Sequence, residues 1–209
     1  MGAVRKTAVH VPLTRAVGRL LFEASRRAEA MGLIETDRSS AGGLGDLGTV
    51  RELAAHVRQA GIASGTAAAL NNVEAPTGEE LASLLRTMIA ALEASPVPRF
   101  EWAGLVRLLD AEQLASLLAV SLSSLGRYQS GGRDTPDSIA ARLHFLALVI
   151  GDLAGSYNDI GVRRWFGRKR TALGGRTPAQ LLTGEWDPED AGPARVRELA
   201  RELVTMSAT

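Results

Sequence analysis

Hydrophobic residues recur every three or four positions along most of this chain, which is the spacing of an α-helix with one buried face. The clearest example starts at Thr77 and Glu80, a pair that forms a helix-capping box, and stops at Pro96 and Pro98. Its apolar positions are Leu81, Leu84, Leu85, Met88, Ile89 and Leu92. No run of β-branched or aromatic residues alternates with polar residues for long enough to build a sheet. The pattern therefore predicts an all-α fold.

The first half of the chain contains further helix signals that are separated by polar connectors. Thr14 is placed to cap a first helix that stops at Gly32, and Thr49 with Glu52 predicts a capping box for a second helix. The two connectors are rich in glycine, serine and asparagine, and they span residues 36–48 and 61–78. Such compositions are typical of loops. We therefore expect two loops and a loosely packed N-terminal region.

Residues 112–133 read EQLASLLAVSLSSLGRYQSGGR and predict two short helices joined by a tight turn. The buried side of the first helix consists of Leu114, Leu117 and Leu118. Ala115 is small at the position where a second helix crosses closely, as helix-turn-helix packing requires. Ala119 and Val120 are expected to form the turn, and Ser121 is placed to cap the second helix. Together these features predict a helix-turn-helix.

The outer face of the second helix offers candidate DNA contacts, because side chains near the N-terminus of such a helix reach base edges. The candidate residues are Gln113, Ser121, Leu122, Ser123, Ser124, Arg127 and Arg133. The stretch resembles the Xre, or lambda-repressor-like, helix-turn-helix family, in which Leu-Ala, paired leucines, Val-Ser and a later arginine with an aromatic residue recur at these spacings. Thr135 and Pro136 are placed to begin a closing helix. The resemblance implies a five-helix domain over residues 99–155.

A second informative stretch, GVRRWFGRKRTALGGRTPAQLLTGEW, covers residues 161–186. It predicts a short helix with Trp165 and Phe166, a basic loop, a turn at two glycines and a helix capped by Thr177. Trp165 followed by LGGRTP and a leucine pair resembles the toxin-binding domain of Xre/MbcA/ParS antitoxins, which follows a helix-turn-helix in one chain. The resemblance implies that the protein neutralises a RES-domain toxin that consumes NAD, and that it represses its own operon.

Positive charge is concentrated in this second stretch, where six cations lie between Arg163 and Arg176 with no acidic residue between them. The candidate partner-binding residues are Trp165, Phe166, Arg168, Arg170 and Arg176. Packing in a core is the alternative for the two aromatic residues. The family's toxin-blocking contacts do not carry over residue by residue, but the resemblance implies that they fall in the C-terminal region near Arg195, Arg197 and Glu198. The basic run is either a solvated face or a binding surface, and the anionic partner of such a surface is either DNA or an acidic groove of the toxin.

The motifs divide the chain into an N-terminal helical region of unknown role, a helix-turn-helix domain and a toxin-binding domain. Residues 1–98 have no net charge, residues 99–155 carry −1 and residues 156–209 carry +2. A protein that neutralises several phosphates normally exposes more cations than the middle region contains. We therefore expect a homodimer or a higher homo-oligomer, which doubles the contacts to operator DNA.

The residue content also excludes several kinds of chemistry. The chain has no cysteine, which excludes disulfides, thiolate metal sites and a cysteine nucleophile. Its three histidines lack metal-binding spacing, and no P-loop lysine or nucleophile elbow is present. No charge-free stretch of the chain, including residues 113–126, reaches the roughly 20 apolar residues of a membrane-spanning helix. We expect a cytoplasmic protein with no cofactor, no metal and no catalytic residues.

Two other functions fit the same patterns. One is a stand-alone transcriptional regulator whose residues 1–98 oligomerise or sense an effector. The other is a scaffold protein that uses its helices for self-assembly. DNA binding distinguishes the scaffold from the two regulators, and binding of a RES-domain toxin distinguishes the antitoxin from the stand-alone regulator.

Overall fold

A computed structural model describes residues 13–35 and 46–207 of the chain. Within these residues the chain forms eleven α-helices and no strand, which confirms the predicted all-α fold. The helices are α1 (Arg15–Ala30), α2 (Leu47–Gln59), α3 (Ser64–Asn72), α4 (Gly78–Ala94), α5 (Pro98–Leu108), α6 (Ala111–Leu118), α7 (Leu122–Gln129), α8 (Asp137–Leu153), α9 (Asp159–Phe166), α10 (Pro178–Leu181) and α11 (Ala191–Ser207). A 3₁₀ turn over Thr171–Leu173 lies between α9 and α10.

Helix α8 lies at the centre of the fold, where α1, α5 and α11 pack around it. Every residue from Arg142 to Leu153 is buried. A helix that is surrounded by other helices needs apolar residues on all its faces, so α8 does not show the single apolar stripe of a surface helix. None of the described helices combines the length and the hydrophobicity needed to span a bilayer.

The N-terminal helices belong to the same core as the rest of the molecule. Helix α1 packs against both α4 and α8, and α2 packs against α3. Buried hydrophobic residues form one cluster that extends from Leu13 to Ala200. The expected loose packing is therefore wrong for α1 and α4, each of which buries an inner face. The division into three domains stays a prediction, and the core extends across both of its boundaries.

The connector at residues 61–78 contains a helix, so the prediction of a loop is wrong there. Helix α3 buries Thr66, Ala67 and Leu70. It begins after Ala63, whose φ of +51° lies in the left-handed region, and no side chain caps it. Tertiary burial of a few small apolar residues outweighs the loop-like composition. In the other connector, residues 36–45 lie outside the described residues, and α2 begins at Leu47.

Most predicted helix starts agree with the structure, and two differ. The confirmed side-chain caps are Thr14, Thr77, Ser121 and Thr177. Helix α2 is capped by Asp46, whose carboxylate accepts a hydrogen bond from the Thr49 N–H at 2.9 Å, so Thr49 lies inside the helix. Thr135 does not cap α8, because Pro136 occupies the N-cap position; the Oγ1 of Thr135 instead accepts a hydrogen bond from Nε1 of Trp102 at 3.0 Å.

Residues 98–153 fold into four helices, α5 to α8, instead of the five that the resemblance implies.

Two glycines fix α5 beside α1. Gly32 ends α1 with a φ of +73°, and a Cβ on Gly104 of α5 would lie 2.4 Å from the carbonyl oxygen of Ala30. The two backbones are therefore in direct contact, and only glycine fits between them. This contact anchors α5, and with it the α6–α7 pair, to the N-terminal helices.

Candidate nucleic-acid interface

Helices α6 and α7 are joined by a turn of only three residues. Ala119 ends α6 with a φ of +56°, and the N–H of Val120 donates to the carbonyl oxygen of Ala115 at 3.0 Å. Ser121 then caps α7, because its Oγ accepts a hydrogen bond from the Ser124 N–H at 3.1 Å. These bonds reverse the chain within one short segment. The predicted turn and the predicted cap of the second helix are both confirmed.

The inner faces of the two helices form a small continuous core. Its buried members are Leu114, Ala115, Leu117, Leu118, Leu125 and Tyr128. The ring of Tyr128 stacks on that of Trp102 in α5, with centroids 6.1 Å apart and planes inclined by 17°. Since Trp102 is itself held by Thr135 at the approach to α8, α7 is attached to the body of the protein through its inner face. Its outer face is left exposed.

That outer face carries three of the predicted DNA contacts in accessible positions. Leu122, the first residue of α7, has 51% of its surface exposed. Arg127 is exposed, and its Nε donates to the carbonyl oxygen of Ser123 at 3.3 Å, with Nη2 3.4 Å from the Ser123 Oγ. These bonds hold the guanidinium along the helix, toward its N-terminal end. An apolar side chain is suited to pack against a thymine methyl group, and a positioned guanidinium is suited to donate hydrogen bonds to a guanine edge.

The remaining predicted contacts have structural partners. Nε2 of Gln113 donates to the carbonyl oxygen of Arg163 in α9 at 3.0 Å, so this amide ties two helices together. The hydroxyls of Ser121 and Ser124 lie 3.1 Å apart within the cap of α7. Arg133 is exposed, and its guanidinium lies 5.6 Å from the centre of the Tyr128 ring. Of these four residues, Arg133 is the one that is charged, and it lies at the surface.

Trp165 and Phe166, two of the predicted partner contacts, are core residues. Both have no exposed surface, and their rings meet edge to face with centroids 5.3 Å apart. A side chain with no exposed surface cannot contact a partner while this packing holds. The expectation that these two residues form a binding surface is therefore corrected, and the core alternative explains them: they anchor α9 beneath the loop that follows it.

The loop after α9 is closed by backbone hydrogen bonds. The N–H of Arg170 donates to the carbonyl oxygen of Arg176, and the N–H of Gly175 donates to that of Arg170, both at 2.9 Å. The guanidinium of Arg170 is half-buried and lies 5.5 Å from the centre of the Trp165 ring. Of the three predicted arginine contacts, Arg168 and Arg176 are exposed, and Arg170 packs against the core.

A partly buried ion cluster, which the sequence patterns did not indicate, lies where α1, α4, α8 and α11 meet. Oε1 of Glu93 accepts hydrogen bonds from Arg27 at 3.0 Å and from both Arg197 and Arg201 at 3.1 Å. Asp152 accepts a further bond from Nε of Arg197 at 2.9 Å. Burial raises the pKa of Glu93, but the three guanidinium groups outweigh this effect and hold its pKa below the usual value. The cluster cross-links helices that are distant in sequence.

A buried polar pair, His144 and Glu101, lies beside this cluster. Nδ1 of His144 lies 2.6 Å from Oε1 of Glu101, and Nε2 lies 3.0 Å from the carbonyl oxygen of Glu93. A carbonyl oxygen only accepts hydrogen bonds, so Nε2 is the donor to the carbonyl oxygen of Glu93. Both ring nitrogens are engaged, as expected for a packed histidine. Within the described part of the chain, no group of acidic and histidine residues is arranged to hold a metal ion.

Next to the ion cluster, α4, α8 and the start of α11 border an open groove of about 880 Å³. Arg195, Arg197 and Glu198, the residues nearest to the expected toxin-blocking contacts, all line it. Its walls also include hydrophobic side chains, among them Phe145 and Leu148. A groove with charged rims and an apolar floor is suited to another protein's segment.

Comparison of the chain with protein families, with curated proteins and with solved structures found no match.

Proposed function

We propose that the protein is a DNA-binding regulator of the antitoxin type, whose helix α7 enters the major groove of operator DNA. The α6–α7 pair carries this proposal, because its tight turn and one-sided core leave the outer face of α7 exposed. An eight-residue helix is about 12 Å long, and the major groove is about 12 Å wide. Helix α7 has the dimensions and the attachment of a recognition helix.

Two side chains of α7 are assigned to base readout. Arg127 is the donor for a guanine edge, where a guanidinium bonds to O6 and N7 together. Leu122 supplies an apolar surface for a thymine methyl group. Ser123 acts on Arg127 by accepting its hydrogen bonds at 3.3 and 3.4 Å, and so keeps the guanidinium near the N-terminal half of the helix.

DNA binding by this protein requires more than one copy of the helix pair. Residues 99–155 carry a net charge of −1, so a single copy gains little from neutralising phosphates. A homodimer presents two α7 helices to half-sites about 34 Å apart along the duplex. The operator is then expected to be a palindrome with that spacing.

The test is a titration of the full-length protein on a duplex from its own promoter and on an unrelated duplex of equal length. Arg127→Ala should weaken promoter binding roughly 10- to 100-fold and leave binding to the unrelated duplex nearly unchanged. Arg58→Ala is the matched control, because Arg58 is an exposed arginine at the end of α2, outside the helix pair. Equal affinity of Arg127→Ala and the wild-type protein for the promoter contradicts the assignment.

The antitoxin part of the proposal has a separate support, which is the groove lined by Arg195 and Glu198. Both side chains are exposed at the start of α11. Together with the order of the two motifs along the chain, this groove favours a partner protein at the C-terminal helices. A RES-domain toxin is the partner class that the sequence resemblance implies.

Co-expression with the product of the neighbouring open reading frame tests this partner. We expect a stable complex that restores growth. The double variant Arg195→Ala with Glu198→Ala should neither form the complex nor restore growth. Arg58→Ala is the control and should do both. A protein that binds its promoter but neither a toxic neighbour nor a RES-domain protein is a stand-alone regulator. Large oligomers that bind no DNA at any salt concentration identify a scaffold.

A further inference from the structure

Helix α9 and the loop after it expose a concentrated patch of positive charge. The cations of this basic surface are Arg163, Arg164, Arg168, Lys169 and Arg176, and all five are exposed. None of them forms a salt bridge with a carboxylate in the described part of the chain. An exposed cluster of like charges that the fold does not neutralise favours an anionic partner.

The basic surface is attached to the helix-turn-helix at a defined point. The carbonyl oxygen of Arg163 accepts the hydrogen bond from Nε2 of Gln113, which lies in the first turn of α6. Helix α9 also packs against α5 and α10, and its buried side consists of Val162, Trp165 and Phe166. The backbone of α9 at Arg163 therefore lies next to the first turn of α6, and the side chains at positions 163 and 164 are exposed.

The start of α6 is the part of a helix-turn-helix that crosses the sugar–phosphate backbone of DNA. In this protein it carries two exposed carboxylates, Asp110 and Glu112, which repel phosphate. Asp110 is committed to capping, because its Oδ1 accepts a hydrogen bond from the Gln113 N–H at 2.8 Å. The helix-turn-helix region therefore lacks positive charge where DNA binding requires it. The backbone of α9 at Arg163, where two exposed arginines follow one another, lies beside this position.

The loop after α9 presents its charges from a defined backbone. The hydrogen bond between the Arg170 N–H and the Arg176 carbonyl oxygen brings the two ends of the loop together. Arg170 rests on the ring of Trp165, which is fully buried. Arg168 and Arg176 are therefore held on a loop that is anchored to the core.

We propose that the basic surface contacts the backbone phosphates of operator DNA beside α6, and so extends the interface of the helix-turn-helix. The proposal rests on the DNA binding proposed above. It assigns the arginines of α9, at positions 163 and 164, to DNA, and it leaves the groove at α11 for a protein partner. An acidic groove of a toxin is the competing occupant of the basic surface.

The test measures the salt dependence of DNA binding by the full-length protein with fluorescence anisotropy. The test variant is Arg163→Ala with Arg164→Ala, which keeps the hydrogen bond from Gln113 because that bond uses a backbone carbonyl. The matched control is Arg58→Ala with Arg86→Ala, which removes the same charge from exposed positions on α2 and α4. The probes are the promoter duplex and an unrelated duplex of equal length.

We expect the test variant to weaken binding to both duplexes by a similar factor, about tenfold or more at low salt. The slope of log K against log salt should fall by about 0.9 for each phosphate that the variant no longer neutralises. The control variant should keep the wild-type affinity and slope, and all three proteins should have the same thermal unfolding midpoint. This result differs from that of Arg127→Ala, which affects the promoter alone.

Three outcomes overturn the inference. Wild-type binding with an unchanged slope in the test variant removes the basic surface from the DNA interface and leaves the role of α7 intact. Retained DNA binding with loss of the co-expressed toxin assigns the surface to a protein partner. Absence of DNA binding by the wild-type protein contradicts the proposed function itself, and the inference with it.

Discussion

The ion cluster at the junction of α1, α4, α8 and α11 and the outer face of α7 use charged groups in opposite ways. In the cluster, the carboxylates of Glu93 and Asp152 bind guanidinium groups from distant helices. On α7, Arg127 is exposed, and its guanidinium donates hydrogen bonds to Ser123, one turn before it on the same helix. The cluster connects helices, and the outer face of α7 leaves its charge available to a ligand.

The difference follows from desolvation. A charge that loses its water needs charged or hydrogen-bonding partners close by, so a buried cluster is saturated by the protein itself. An exposed arginine keeps its water until a ligand replaces it. Stability and recognition are therefore carried by different regions of this molecule, and substitutions in the two regions should have separable effects.

The largest effect on stability is expected for Trp165→Ala. This side chain has no exposed surface, so its removal leaves a cavity and should lower the free energy of unfolding by about 3–5 kcal/mol. Urea unfolding followed by circular dichroism measures the change. Leu122→Ala, at an exposed position, is the control and should stay within about 0.5 kcal/mol of wild type. A small change for Trp165→Ala would place this residue on a binding surface after all.

Glu93→Gln should have the next largest effect, because it removes the charge on which three guanidinium groups converge. Breaking a fully buried pair costs about 3–5 kcal/mol. The Glu93 side chain is 31% exposed, so we expect about 2 kcal/mol near neutral pH. Chemical denaturation of both proteins under identical buffers measures the difference.

The same substitution should have a pH-dependent effect. The pKa of Glu93 is lower in the folded protein than in the unfolded chain, where it is about 4.3. Its contribution to the stability of the protein is therefore complete above the unfolded pKa and declines as the pH falls through the folded pKa. The stability difference between wild type and Glu93→Gln should therefore shrink as the pH falls below about 4.3. A difference that stays constant across this range shows that the charge of Glu93 is not what stabilises the junction.

Ser121→Ala should produce a smaller loss. Its Oγ caps α7 by accepting the Ser124 N–H, and loss of such a cap costs about 1 kcal/mol. Ser116→Ala, at an exposed position within α6, is the matched control and should be neutral. Thermal unfolding with both variants gives the comparison. Equal midpoints for Ser121→Ala and wild type contradict the importance of the cap.

The smallest effect on stability is expected for Arg127→Ala, within about 0.5 kcal/mol of wild type. The side chain is exposed and its hydrogen bonds stay within α7. This variant sharpens the comparison, because it should lose affinity for promoter DNA while its unfolding curve stays unchanged. A stability loss comparable to that of Glu93→Gln would give Arg127 a structural role instead.

Sequence patterns predicted the elements that depend on neighbouring residues. The caps at Thr14 and Thr77, the turn at Ala119 and the cap at Ser121 all involve hydrogen bonds between residues a few positions apart. Their donors and acceptors are already close in the unfolded chain, so residue type and spacing are enough to identify them. The all-α class followed from the same local information.

Helix α3 shows where local information was insufficient. Its stretch has the composition of a loop, and no side chain caps its start. The helix forms against α2 and α4, which lie on either side of it in sequence and pack against it in space. Burial of Ala67 and Leu70 against these helices stabilises a helix that the local sequence alone does not favour.

By itself, therefore, the sequence determined the helical class, most helix boundaries and the helix-turn-helix turn of this protein. Only the tertiary structure decided that Trp165 is buried, that Gln113 joins α6 to α9, and that Glu93 meets Arg197. The physical reason is that hydrogen bonds within a helix or a turn link residues at most a few positions apart. Burial and ion pairing depend on which distant segments pack against each residue.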